Sequence, residues 1–477
     1  MQTRVEADSI GSLEVPADAY YGVQTLRAKQ NFPITGQRLN GAFIKSLAAI
    51  KKAAAITNRD AGSLEKPVAD AIISACDEIL AGKLHDQFIV DPIQGGAGTS
   101  ANMNANEVIA NRAIELLNGT RGDYSLVHPN DHVNMSQSTN DVFPTAGKLT
   151  ALKLIPELVF KLKRLANALD GKSREFAAVV KMGRTQLQDA VPISLGQEFA
   201  AFSCAVKRDA KRLVKVTDEL RTVNMGGTAV GTSVNASPEY VAGIAENLSS
   251  VAGTEVVQAE NLIDCTQNLD CFAFVSGALK TCAVNLSKIS NDLRLLSSGP
   301  RTGIMEIALP AVQNGSSIMP GKVNPVIPEV VTQAAFNVIG NDCTVALAAE
   351  AGQMELNAFE PVLFYKVFES IKTLTGAVST LTDNCVCGIT ANRENCEAHL
   401  RESVGTVTAL CPYIGYEKSA ELAKQSLKTG VPVGTLALNC GILTKRELEE
   451  VLDPVAMTGC RKLDTLSKVS VCERSGI

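Results

Sequence analysis

A chain of 477 residues with 45% apolar side chains can bury a large core, which excludes a disordered or extended protein. A formal net charge of −5 without a long basic run excludes the electrostatic footprint of a nucleic-acid binder, and no uncharged run of about 18 apolar residues offers a membrane span. Aromatic residues are only 4% and Trp is absent, so Ala, Leu, Val and Ile must fill the core, a composition suited to closely packed helices.

The opening MQTRVEADSIGSLEVPADAYYG carries charge early and lacks the apolar segment of a signal peptide, so a cytoplasmic protein is expected. Helical period then dominates the middle of the chain. Leu158, Leu162, Leu165 and Leu169 fall at i, i+4, i+7 and i+11. Phe199, Phe202, Val206, Leu213, Leu220 and Val223 form one stripe through 197–224, and Leu279, Leu286, Ile289, Leu293 and Leu296 another in 272–297. Phe364, Phe368, Ile371, Thr375, Val378 and Leu381 do the same in 361–383. These spacings predict amphipathic helices of about 25 residues, which pack side by side in bundles. Beyond residue 394 the pattern shortens. Residues 419–427 read as a short helix closed by Gly430, and Thr444 with Glu447 form a capping box before LEEVL. The expected fold is mainly all-α, with divisions at 1–139, 140–394 and 395–477.

Four polar stretches punctuate the helices and read as irregular: QGGAGTSANMN (94–104), HPNDHVNMSQSTND (128–141), GRTQLQDAVP (183–192) and GSSIMPGKVNP (315–325). Gly96-x-Gly98-x-x-Ala101 mimics a dinucleotide fingerprint, with Phe88, Ile89 and Val90 as a short preceding strand, but no second strand follows. The 315–325 stretch mimics a phosphate loop, yet five residues separate Gly315 from Gly321 and Val323 stands where Ser or Thr is needed. His128 and His132 are four apart, with Pro129 between them and no carboxylate at a zincin position. Thirteen cysteines without a CxxC pair read as reduced thiols, and Cys385, Cys387 and Cys396 as ordinary buried ones. No metal site and no cofactor are expected.

What the polar stretches hold in common is hydrogen-bonding capacity with little charge. Thr99, Ser138, Thr139, Asn140, Thr185, Gln186 and Asn324 are neutral, and Lys322 is a lone cation in a Gly/Pro-rich segment. If they converge, with free N–H groups at helix starts, they form a pocket for a small polar anion.

GSSIMPGKVNP resembles the signature of the fumarase/aspartase superfamily. EVPADAYYGVQTLRA, GGAGTSANMNANEVIANR, HPNDHVNMSQSTND, GRTQLQDAVPISLGQEF and NDLRLLSSGPR extend the resemblance over nearly the whole chain. Thr139, Gln186 and Val191 stand where fumarases of this type carry Ser, His and Thr, so the resemblance favours the aspartate ammonia-lyase branch. It implies a three-domain, almost all-helical subunit whose long helices form the core of a homotetramer, with each active site assembled from three subunits. It implies cofactor-free elimination of ammonia from L-aspartate, a small dicarboxylate, with Mg²⁺ as an activator in some relatives. By carry-over Ser316 is the base, and Lys322 and Asn324 stabilise the charge that develops on the β-carboxylate. Thr99, Ser138, Thr139, Asn140, Thr185 and Gln186 bind substrate, Asn140 facing the amino group. Gly315 and Gly321 hinge the loop, and Glu329 either pairs with a cation or caps its helix. The rival readings are a class II fumarase and a non-catalytic scaffold protein.

Overall fold

The computed structural model of the chain describes residues 2–459, so Met1 and residues 460–477, the end of the expected C-terminal segment, lie outside the described residues. The chain opens with an antiparallel pair, β1 (Thr3–Asp8) and β2 (Gly11–Pro16). Helices α1 (Val23–Asn31), α2 (Gly41–Asp60), α3 (Lys66–Leu80) and α4 (Thr99–Leu116) follow. The long α5 (Thr139–Glu175) runs unbroken through Pro144 and Pro156. Next come β3 (Val180–Thr185), β4 (Gln188–Ser194) and α6 (Leu195–Val216). Two-residue strands β5 (Thr222–Val223) and β6 (Val257–Gln258) flank α7 (Pro238–Ala252). Helices α8 (Leu262–Gln267), α9 (Asp270–Leu296), α10 (Val326–Glu350) and α11 (Glu360–Asn384) complete the middle of the chain. The pair β7 (Ile307–Ala308) and β8 (Thr390–Ala391) precedes α12 (Arg393–Glu402) and a run of short helices.

Two compact units result. Among the described residues, one holds 2–160, 209–284 and 334–376, the other 161–208, 285–333 and 377–459. In the first, α2 packs on α3 and α7, and α4 on α1 and α3. Its core holds a knot of rings: Phe43 meets Phe143 edge-on at 5.2 Å between centroids, and Phe272 meets Phe364 at 4.8 Å. In the second, Phe176, Phe199 and Phe202 meet edge-on in sequence, and the C-terminal helices close on Leu410, Leu422, Leu436 and Leu448.

The apolar stripes mark real helices, with one difference. The 197–224 stripe does not continue as one helix: α6 ends at Val216, Leu220 lies in the 3₁₀ turn Thr217–Leu220 and Val223 in β5. Both are fully buried, so burial keeps the pattern alive after the helix has ended. The 183–192 stretch is also not irregular. It is the distal half of the β3–β4 hairpin, with a register shift between Met182 and Arg184. At Gly183 a side chain would collide with the Val191 carbonyl, which explains the glycine in that strand. The capping box at Thr444 and Glu447 is present, and Gly430 ends the helix Tyr416–Thr429 in the left-handed region.

Gly147, inside α5, faces the Phe364 ring so closely that a Cβ would overlap it. Elsewhere in a helix Gly→Ala stabilises by about 1 kcal/mol. Here the sign should invert: Gly147→Ala is expected to lower stability by roughly 1–3 kcal/mol through overpacking, read as a fall in the thermal midpoint.

Candidate active site

In the first unit the site residues collect where two helices begin. Gly98 is left-handed (φ +87°) and precedes Thr99, the first residue of α4. A Cβ on Gly98 would overlap the Phe143 ring, so only glycine lets the start of α4 approach the start of α5 this closely. Asn102, one turn into α4 on the same face as Thr99, donates to Thr139 Oγ1 at 3.1 Å. Thr99 and the 138–140 segment therefore share one polar patch at the positive ends of two helix dipoles.

The patch is pinned from beneath by buried charge. Lys51, fully buried in α2, donates to Asn134 Oδ1 (2.8 Å) and Gln137 Oε1 (2.9 Å). Burial pulls its ammonium down to about 7. Asp141, also fully buried, accepts from the backbone N–H of Ser138 (2.9 Å), Thr228 (3.0 Å) and Gly226 (3.3 Å). Burial pushes its carboxyl up to about 6, against the pull of those amides and of Lys51. Asn140 Nδ2 donates to the Ala229 carbonyl at 2.7 Å, which leaves its amide oxygen to accept from a ligand. Sequence reasoning missed the partner of this segment, the 224–231 stretch NMGGTAVG. Its Gly-rich composition was the available signal.

In the second unit Ser316, Lys322 and Asn324 come together in one closed loop. Gly315 N donates to the Lys322 carbonyl (2.8 Å), and Asn324 Nδ2 donates to the Gly315 carbonyl (2.8 Å). Ser316 Oγ accepts two backbone N–H groups, from Met319 (3.0 Å) and Ile318 (3.2 Å). Such a pair of amides favours negative charge on the serine oxygen. Lys322 is exposed, and no acidic side chain among the described residues pairs with it. A cleft of about 800 Å³ beside the loop is lined by Arg294, Ser298, Lys322 and Asn324 among others. Gly321 has φ +79° with open space around it, while a side chain at Gly315 would strike the Lys322 carbonyl. Glu329 lies in the first turn of α10 and accepts from Gln333 at 3.4 Å, and among the described residues no cation pairs with it.

Thr185 and Gln186 sit at the tip of the hairpin, both exposed. Gln186 and Leu187 are left-handed in succession, φ 51° and 62°. His128 uses Nδ1 to accept from the N–H groups of Asn130 and Asp131. Among the described residues the cysteines are free thiols; Cys385 and Cys396 are buried, which raises each to about 12, whereas Cys387, expected to be buried, is exposed. Phe88, Ile89 and Val90 form no strand; Ile89 N–H goes to Asn104 Oδ1.

Comparison with known proteins identifies the family. Residues 11–340 match the family model described as lyase, and residues 407–459 the one described as fumarase C C-terminus. The chain is 53% identical over 455 residues to an aspartate ammonia-lyase of a Bacillus species, covering 95% of this chain and 97% of the relative. The chain belongs to the fumarase/aspartase lyase family. This lyase also matches the crystal structure of a Brucella melitensis fumarate lyase:delta crystallin bound to cobalt. That match has a TM-score of 0.94 and 52% identity, covering 96% of this chain and all of the other. A Schistosoma mansoni class II fumarase superposes with a TM-score of 0.93 at 35% identity, covering 97% of this chain and all of the other. Among the described residues no helix is long and apolar enough to cross a membrane.

Asp141 gives a signed pH prediction. Its folded pKa lies above the unfolded value of 3.8, so stability is lost as pH rises through about 6. Asp141→Asn should remove that component. The difference in thermal midpoint, variant minus parent, is expected to climb between about pH 4 and pH 6 and then level off.

Proposed function

We propose that this lyase is an aspartate ammonia-lyase, converting L-aspartate to fumarate and ammonia with Ser316 as the base. The observation that carries the reading is the pair of backbone amides held on Ser316 Oγ. A serine oxygen must bear charge to take a weakly acidic proton, and two fixed N–H dipoles lower the cost of that charge.

Proton removal from the carbon beside the β-carboxylate places a second negative charge on that carboxylate, giving an aci-carboxylate. Lys322 and Asn324 supply a cation and a neutral donor, and Thr185 adds a hydroxyl; each such donor contributes roughly 10²–10³ in rate. Gln186 donates only neutral N–H bonds and cannot share a proton, so the cation carries more of the stabilisation. The paired N-termini of α4 and α5, with Thr99, Ser138 and Thr139, suit the other carboxylate. The amide oxygen of Asn140 suits the ammonium that departs, since its amide nitrogen is already engaged by Ala229. Gly315 and Gly321 allow the loop to open and close over substrate. Nothing in this chemistry calls on a cofactor, and Mg²⁺ would enter only as an activator.

The fumarase reading is the alternative. Thr139, Gln186 and Val191 favour the amine substrate over the hydroxy acid. So does the greater identity to the Bacillus aspartate ammonia-lyase than to the Schistosoma fumarase. Ser316→Ala should lower turnover of L-aspartate roughly 10²–10⁴-fold with the particle intact, followed as fumarate absorbance in the ultraviolet. Fumarate formed from L-malate but not from L-aspartate would instead identify a fumarase, and full activity in the Ser316→Ala protein would remove the serine from the mechanism.

A cytoplasmic homotetramer with sites built from three subunits completes the proposal, on the three-domain division at about residues 139 and 394. Large apolar side chains stand uncovered on the long helices, among them Phe160, Phe274, Phe336 and Leu347, each more than half exposed in the single chain. Such faces call for partners. Mixing and reassembling two inactive proteins, Ser316→Ala and Thr139→Val, should then recover part of the parental activity, because some sites draw both residues from unaltered chains. No recovery from verified hybrids would place both residues of each site on one chain.

A further inference from the structure

The hairpin that presents Thr185 and Gln186 is a poor platform by itself. A two-stranded ribbon is marginal in water, and its turn holds two residues in a conformation that costs roughly 1–2 kcal/mol each. It must be held from outside if its tip is to keep one position.

The hold is visible at one register pair. Arg184 and Asp189 face each other across the strands, and only residues 185–188 lie beyond them. Arg184 Nη1 meets Glu306 Oε1 at 2.9 Å, and the same oxygen meets His399 Nδ1, on α12, at 3.1 Å. Glu306 is completely buried, and Lys181 Nζ, further down β3, lies 2.9 Å from its other oxygen. Lys181 is also paired with Glu198 at 3.1 Å. The main chain of Glu306 is fixed as well, its N–H donating to Leu296 and its carbonyl accepting from Asn392. On the opposite strand, Asp189 Oδ2 accepts from Ser403 Oγ at 2.7 Å, and Ser403 Oγ in turn accepts from Gly405 N–H. His399 and Ser403 are one helical turn apart. At Gly405 a Cβ would press on the Ala190 carbonyl, so the segment after α12 lies directly against β4.

We propose that His399 and Ser403 are positioning residues for the reaction: they grip both strands of the hairpin at the register pair just before its final one and set where Thr185 and Gln186 are presented. Neither touches substrate. The inference rests on the reading above that the tip contacts the substrate carboxylate. It gives the C-terminal segment a part in binding geometry through a buried carboxylate, Glu306, whose three basic neighbours are Lys181, Arg184 and His399.

A double-mutant cycle on the full-length enzyme tests it. Ser403→Ala, Thr185→Val and the combination are compared by kcat/KM for L-aspartate. Ser403→Ala should lower kcat/KM about tenfold, since small misplacements of a binding group cost up to about 10²-fold. Ser403→Thr, which keeps the hydroxyl, should stay within about 2-fold of the parent. In the Thr185→Val background the Ser403→Ala loss should shrink clearly below its size in the parent, because one of the two groups it positions is gone. His399→Asn, which keeps a donor near the Nδ1 position, should exceed His399→Ala in kcat/KM. Losses that multiply in the double variant, with Thr185→Val alone impaired, would overturn the clamp while leaving Thr185 as a substrate contact. An unimpaired Thr185→Val enzyme would instead remove the contact, and the clamp with it.

Discussion

A serine hydroxyl in water is too weakly acidic to serve as a base. The contact on which the candidate chemistry depends is therefore the pair of amides from Ile318 and Met319 on Ser316 Oγ. The rest of the loop follows from making it. The chain must turn tightly enough for a side chain to reach the N–H groups two and three residues ahead. The turn must then close, which the Gly315 to Lys322 backbone bond and the Asn324 amide do. The interior of a helix could not present these groups, because its N–H groups are already engaged.

The first unit meets a complementary demand. The proposed anion-facing surface is made of neutral groups and helix ends, while the ionisable Lys51 and Asp141 lie buried behind it. Neither makes a direct salt bridge, and each is held by hydrogen bonds to carbonyls or amides. Groups so placed are costly to move, because any displacement leaves a buried charge short of partners. They make a rigid floor beneath residues 138–140.

Much of this was legible in the sequence, and the limits have physical causes. Long helices declare themselves because one face must be apolar, and the stripes in α5, α9 and α11 could be read directly. The end of α6 could not, because Leu220 and Val223 are buried for reasons unrelated to helical period. The hairpin escaped notice because its tip is polar and lacks the Asn-Gly that normally marks such turns. Individual candidate site residues are named by motif, not by physics: a Thr or Ser in a polar loop carries no intrinsic sign of its role. The supporting residues, Lys51, Asp141, Glu306 and His399, were invisible for a different reason. Each is an ordinary charged residue whose meaning lies in partners distant along the chain.

The two consecutive left-handed residues at the hairpin tip carry an implication for laboratory evolution. Glycine at either position would relax the backbone. A library selected only for heat tolerance should drift toward it, whereas one selected for turnover should retain Gln186 if that side chain meets substrate as proposed. A single dipeptide would then record which pressure had been applied.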